Sequence, residues 1–162
     1  MSESRAIVTG SFDPITLGHL EIIKYASERY DIVYVVALIN DKKKYMFTME
    51  QKRRLIEITT KDFPNVIVDS YDGLTADYMH LHNIYNIVRG ARNEADVLYE
   101  NELASAMKAF DSRFETEIVK LNGEYDSLSS TIVRSRIAGG ESIEGLVHKD
   151  AVTEIKKMLE QK

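Results

Sequence analysis

Short runs rich in valine and isoleucine alternate along this chain with longer segments whose apolar residues recur at helical spacing. Arg5 to Thr9 is a β-prone run, and Gly10-Ser11-Phe12-Asp13-Pro14 after it reads as a loop. Leu20, Ile22, Ile23 and Ala26 make the apolar stripe of a helix from about Thr16 to Arg29. Ile32 to Ile39 is almost unbroken in its apolar character, the pattern of a strand buried on both faces of a parallel sheet. Thr48, with Gln51 three residues later, opens a capping-box helix that runs to about Lys61. Val66 to Val68 reads as a third strand, Leu74 to His82 as a third helix and Ile84 to Val88 as a fourth strand. A long amphipathic helix from Asn93 to about Phe110 leads into a fifth strand, Phe114 to Leu121, and helical segments run from Ser129 onward.

Strands that alternate with helices pair in parallel through right-handed crossovers, so the fold class is α/β with a doubly wound, parallel, five-stranded sheet. Such sheets bind ligands beyond the carboxyl ends of their strands, where the strand order reverses. No repeat and no Pro/Gly/Ser-rich linker divides the 162 residues, which suit a single domain over 1–162. The net charge of −5 argues against a nucleic-acid partner, although local basic clusters can still hold small anions. Cysteine is absent, which removes disulfides, thiol nucleophiles and Cys-based zinc sites. The longest apolar stretch is far too short to span a bilayer and the N-terminus lacks a signal-peptide pattern, so no membrane association and a cytoplasmic location are expected.

Chemistry is therefore sought just after the strands. Gly10 to His19 joins the first strand to the first helix; its glycines permit close backbone approach, and the new helix's N–H groups point at any anion there. His19 in that first turn can donate a charged hydrogen bond to the same anion; a loop with a half-exposed histidine is the plainer alternative. The spacing is neither a dinucleotide G-x-G-x-x-G nor a Walker A loop. Lys42-Lys43-Lys44 follows the second strand as either a solvated surface or a triphosphate clamp. Arg89-Gly90-Ala91-Arg92 follows the fourth, where two planar donor forks can bracket a phosphate or form surface ion pairs. Tyr125-Asp126-Ser127-Leu128-Ser129-Ser130-Thr131 follows the fifth, with hydroxyls that suit helix caps or a triphosphate. Together the four segments make one sheet edge an anion site fit for a polyphosphate. His80 and His82 do not share a helix face and so do not pair as metal ligands, and His148 has no partner motif.

The string G-S-F-D-P-I-T-x-G-H resembles the signature of the nucleotidyltransferase superfamily that carries an (H/T)-x-G-H motif. Over nearly its whole length the chain is similar to the bacterial phosphopantetheine adenylyltransferases, through K-K-x-M-F-T, I-V-R-G-x-R-x-x-x-D-x-x-Y-E, S-S-T-x-V-R and a C-terminal G-G-x-x-x-x-x-L-V. The resemblance implies a Rossmann-like nucleotidyltransferase fold that joins ATP and 4′-phosphopantetheine into dephospho-coenzyme A and pyrophosphate. It further implies Mg²⁺ as cofactor and a homohexamer. His19, Lys43 and Arg92 would be catalytic, with Lys42 and Lys44 leaving the lysine register open by one residue. Ser11, Phe12, His19, Gly90, Ala91, Arg92, Glu100 and Tyr125 to Thr131 would bind ATP, and Ser11, Lys43, Leu74, Thr75 and Arg89 the acceptor.

Three positions depart from the family pattern: Thr9 stands for proline, Ala91 for leucine and Met107 for asparagine. The alternatives are a sister enzyme that adenylates nicotinate or nicotinamide mononucleotide, a cytidylyltransferase, and a nucleotide-binding module without turnover. S-S-T-x-x-R is shared with some of these relatives, whereas Thr16 in place of the motif's first histidine favours the phosphopantetheine branch.

Overall fold

The computed structural model describes residues 3–161, the side chain of Glu124 excepted. The strands are β1 (Arg5–Gly10), β2 (Ile32–Leu38), β3 (Val66–Tyr71), β4 (Asn86–Ala91) and β5 (Glu115–Lys120). The helices are α1 (Leu17–Ser27), α2 (Met49–Thr59), α3 (Thr75–Leu81), α4 (Glu94–Phe110), α5 (Ser130–Ala138) and α6 (Lys149–Glu160). The strands form a five-stranded parallel sheet in the order β3-β2-β1-β4-β5. Strand order reverses between β1 and β4, the place where the expected α/β topology puts a ligand.

Successive strand residues face opposite sides of the sheet, which sorts them into two cores. Ala6, Val8, Val33, Val35 and Val88 pack on one face with Ile22 and Ile23 of α1, Leu55 and Ile56 of α2, Val133 of α5 and Ile155 of α6. Ile7, Tyr34, Val36 and Ile87 pack on the other face with Ala76 and Met79 of α3 and with Phe114. Gly90 lets α1 lie close, because a Cβ there would come within 2.9 Å of Ile22.

β3 and β4 end three residues later than the pattern of apolar residues indicates. β3 runs on through Asp69, Ser70 and Tyr71, each in register with β2; on a sheet edge, ladder hydrogen bonds continue where the side chains turn polar. β4 starts two residues later and runs three further than the expected Ile84 to Val88. Ile84 instead closes the turn after α3, its N–H bonded to Met79 O. Arg89, Gly90 and Ala91 thus lie within the carboxyl end of β4, in register with Ile118 to Lys120, and Arg92 is the first residue beyond.

β1 and β4 are in register only at Ala6–Asn86 and Ile7–Ile87, although both continue towards the carboxyl edge. The strands part there. The site occupies the resulting gap.

Candidate active site

A cleft of about 340 Å³ opens at the carboxyl ends of β1 and β4, walled by the starts of α1, α4 and α5. Thr16 caps α1, its Oγ1 accepting from His19 N at 3.3 Å, while Thr16 N donates to His19 Nδ1 at 3.0 Å. A histidine here takes the place that glutamate or glutamine holds in a capping box. Because Nδ1 accepts, the ring proton sits on Nε2. Burial and the nearby Arg89 and Arg92 guanidiniums lower the His19 pKa to about 4. The charged donor expected from the sequence is therefore a neutral N–H donor at pH 7. Phe12 supports the imidazole edge-on at 5.0 Å, from a left-handed backbone position (φ 48°).

Arg89 projects from β4 on the sheet face opposite Val88, towards α4. Its Nε and Nη2 donate to the two carboxylate oxygens of Glu100 at 2.8 and 2.9 Å, a bidentate pair with Glu100 buried. Its Nη1 donates across the gap to Thr9 O at 3.1 Å and Thr9 Oγ1 at 3.0 Å. The guanidinium thus satisfies a carbonyl beyond the last paired register of β1 and β4. Arg92 is turned the same way: its main-chain N and its Nε both donate to Asp96 Oδ2, at 3.0 and 3.3 Å, and Asp96 N is capped by Asn93 Oδ1.

The opposite wall is the start of α5. Ser129 caps the helix through Ile132 N, and Ser130 Oγ donates to Pro14 O at 2.7 Å. Arg134 Nη1 reaches Asp13 O at 2.8 Å, and the buried Asp13 carboxylate accepts Met46 N and Phe47 N at 2.9 and 3.0 Å. One short loop after β1 thereby ties α5 and the lysine segment together.

His19, Arg89, Gly90, Arg92, Glu100, Leu128, Ser129 and Ser130 come together around the cleft. The other predicted residues lie elsewhere. Phe12 is buried beneath Gly10 and His19, so its ring belongs to the core. Ala91 is likewise buried, and Ser11 is outside the cleft wall. Lys43 sits with Lys42 and Lys44 on an exposed loop after β2. Leu74 precedes the first turn of α3 without a side-chain cap and Thr75 begins the helix, beyond the carboxyl end of β3. Tyr125 ends a short 3₁₀ turn and borders a more open groove beside α1; Asp126, Ser127 and Thr131 are exposed. Thr9 and Asp96 line the cleft without having been singled out as site residues, and Asp13 and Arg134 organise it from behind. Arg134 was visible within S-S-T-x-V-R, but its partner Asp13 lies 121 residues away in sequence.

Among the described residues no group of three or more His, Asp or Glu side chains is placed to hold a metal. The cleft carboxylates, Glu100 and Asp96, are both committed to arginines. This donor set does not fit a protein-held Mg²⁺, which prefers free carboxylates together with substrate phosphates.

A histidine, two arginines and a serine-capped helix converge on the switch point of the parallel sheet, an arrangement suited to holding phosphates. The chain belongs to the cytidylyltransferase-like family, which matches residues 7–136. Its fold is shared with the crystal structure of a protein assigned as a nicotinate-nucleotide adenylyltransferase from Vibrio parahaemolyticus. That match has a TM-score of 0.70 at 18% identity, over 94% of this chain and 97% of the other. No helix among the described residues is long and apolar enough to cross a membrane.

Proposed function

We propose that the chain transfers the adenylyl group of ATP to 4′-phosphopantetheine, giving dephospho-coenzyme A and pyrophosphate, with no covalent enzyme intermediate. One observation carries the reading of nucleotidyl transfer: a neutral His19 with its proton on Nε2, set beside Arg89 and Arg92 at the switch point of the sheet. The choice of acceptor rests on the sequence, on Thr16 before Gly18-His19 and on the K-K-x-M-F-T and R-G-x-R-x-x-x-D-x-x-Y-E strings.

The acceptor phosphate is largely dianionic at pH 7, since its second pKa is about 6. An oxygen of that dianion attacks the α-phosphorus in line; the new P–O bond forms as the bond from the α-phosphorus to the bridging oxygen breaks, and pyrophosphate carries away the electron pair. No general base is needed. The enzyme's work is positioning and charge stabilisation. His19 Nε2–H donates to an α-phosphate oxygen as charge shifts in the transition state. Arg89 holds the acceptor phosphate, and Arg92 and the capped start of α5 face the triphosphate. Lys43 approaches from its loop once the phosphates are in place. With Glu100 and Asp96 committed to arginines, a Mg²⁺ would enter with the nucleotide and would supply neutralisation of charge on the leaving pyrophosphate. A homohexamer remains part of the proposal on the strength of the sequence resemblance.

The shared fold with the Vibrio protein supports a second reading, adenylyl transfer to nicotinate mononucleotide. Pyrophosphate release from ATP or CTP, with 4′-phosphopantetheine, nicotinate mononucleotide and glycerol 3-phosphate offered separately, distinguishes them. Turnover with ATP and 4′-phosphopantetheine is the expected result. Turnover only with another pair moves the protein to a sister activity, and binding of ATP without pyrophosphate release with any acceptor marks a nucleotide-binding module.

A further inference from the structure

Among the described hydroxyls that line the cleft, that of Thr9 is the one paired with an arginine. It accepts a hydrogen bond from Arg89 Nη1 at 3.0 Å, and a guanidinium can only donate. The hydroxyl proton is therefore uncommitted, and among the described residues no acceptor takes it. Thr9 is half-buried, lines the cleft and lies at the carboxyl end of β1, where β1 has parted from β4. Arg89 is by contrast heavily engaged, with all three of its nitrogens bonded to protein oxygens. A hydroxyl polarised by that guanidinium is a stronger donor than an isolated one.

We propose that Thr9 is a direct ligand contact, its Oγ1 donating to the phosphate of the acceptor, and that it sets acceptor affinity jointly with Arg89. The chemical class it recognises is a phosphomonoester dianion. This deepens the nucleotidyl-transfer reading and rests on it for the identity of the ligand. Arg89 keeps Glu100 and the Thr9 carbonyl when the hydroxyl is removed, so the contact separates from the scaffold.

The test compares Thr9→Val, which keeps the β-branched shape of a strand residue, with Thr9→Ser, which restores the hydroxyl. With Mg·ATP and the acceptor that turns over, Thr9→Val is expected to raise the acceptor KM about tenfold, the effect of losing one hydrogen bond to a charged group. Its kcat and its KM for ATP should stay within about twofold, and Thr9→Ser should recover most of the loss. A hydroxyl that only braced Arg89 would also raise the acceptor KM, but would add nothing once Arg89→Ala has removed the guanidinium. A further rise on adding Thr9→Val to Arg89→Ala supports the direct contact, whereas no further rise there, or an unchanged acceptor KM in Thr9→Val alone, overturns it. Should no acceptor turn over, calorimetric titration with inorganic phosphate at saturating α,β-methylene-ATP decides. Weaker phosphate binding by Thr9→Val than by wild type supports the contact, and equal binding overturns it. Failure of the catalytic reading is thereby distinguished from failure of the Thr9 contact.

Discussion

Two cationic regions stand at the same sheet edge and are built in opposite ways. Beside β1 and β4, each arginine is fixed by a carboxylate of α4: Arg89 by the buried Glu100, Arg92 by Asp96. After β2, Lys42, Lys43 and Lys44 are exposed; the main chain of Lys42 and Lys43 bonds back to Asn40, but their side chains extend from the loop without an ion pair among the described residues, and its root is held more firmly. There Tyr45 accepts from Asn40 N at 3.1 Å, its ring lies 3.2 Å from Lys52 Nζ, and Asp13 holds Met46 N and Phe47 N. The arginine side is ordered during folding, so little freedom remains to be lost when an anion arrives. The lysine tip keeps its rotamer freedom, up to about 2 kcal/mol per side chain, and its charge is screened by salt. One side sets geometry. The other adds charge where the site meets solvent.

The largest effect should come from His19, which lies beside the arginines. His19→Ala is expected to lower kcat about 10²–10³-fold, as loss of a preorganised donor to a transition-state oxyanion does, with a smaller change in KM for either substrate. The neutral ring makes a second, pH-dependent prediction. Because the pKa is held down near 4, the ring does not change charge between about pH 6 and pH 9, and the Nε2–H donor persists throughout. On the acid side, kcat/KM should therefore rise with pH only with the acceptor's second ionisation near about 6. A fall in kcat/KM between about pH 6 and 7.5 in wild type that His19→Asn abolishes would show that the charged ring is the working form.

Glu100→Gln attacks the fixed side directly. It keeps the shape, removes the charge that pairs with Arg89 and leaves a poorer partner for the guanidinium. Breaking a fully buried pair costs about 3–5 kcal/mol, but the Arg89 side chain is 28% exposed and water replaces part of the loss. We expect a loss of about 2 kcal/mol in urea-derived stability, together with an acceptor KM raised about tenfold. A variant of full stability and unchanged acceptor KM would mean that Arg89 is not prepositioned by its partner.

That pairing also shows why part of the site could be read from the sequence and part could not. Gly18, His19, Arg89, Arg92 and the serines before α5 stand in short contiguous strings, and the alternation of strands with helices assigns those strings to one edge. What each side chain bonds to depends on the third dimension. Glu100 matched a nucleotide-binding position by resemblance, yet both its oxygens are taken by Arg89, on a neighbouring strand. Asp13 reads as a turn residue beside proline until the fold brings Met46, Phe47 and Arg134 to it. The protonation of His19 was hidden as well, because its two causes, burial and the arginines, exist only in the folded chain. The late end of β4 escaped because arginine and glycine are unusual in a strand, and Arg89 is accommodated there by a partner on α4.

The exposed side should respond more weakly and with a different signature. Lys43→Ala is expected to raise the KM for ATP about three- to tenfold at low ionic strength, a partial loss of one exposed charge contact to phosphate. The deficit should shrink as NaCl rises towards about 0.5 M, because added salt screens the charge that the substitution removes. Glu100→Gln should show no such convergence, since a partly buried pair is screened much less. If instead Lys43→Ala keeps its full deficit in salt, the lysine tip is ordered against the phosphates and the contrast between the two sides fails. In that case Lys42→Ala and Lys44→Ala identify which of the three side chains makes the contact.

The smallest effect probes the root of the lysine loop. Lys52 is buried, and its Nζ has no hydrogen-bond partner among the described residues; burial pushes its pKa down, and the charge of Asp13 and the ring of Tyr45 partly offset that burial. Tyr45→Phe removes only the hydroxyl that receives Asn40 N and leaves the ring over the ammonium. Asn40 is exposed, so water can take over its N–H, and the expected change is about 0.5 kcal/mol in stability and under about twofold in the KM for ATP. Tyr45→Leu also removes the cation–π contact, worth about 0.5–2 kcal/mol from exposed to desolvated settings. It should lower stability by about that amount, and Lys52→Met should recover the loss by removing the buried charge that the ring compensates. A double variant no more stable than Tyr45→Leu alone would show that the ring acts through packing on the loop, with Lys52 already relieved by other means.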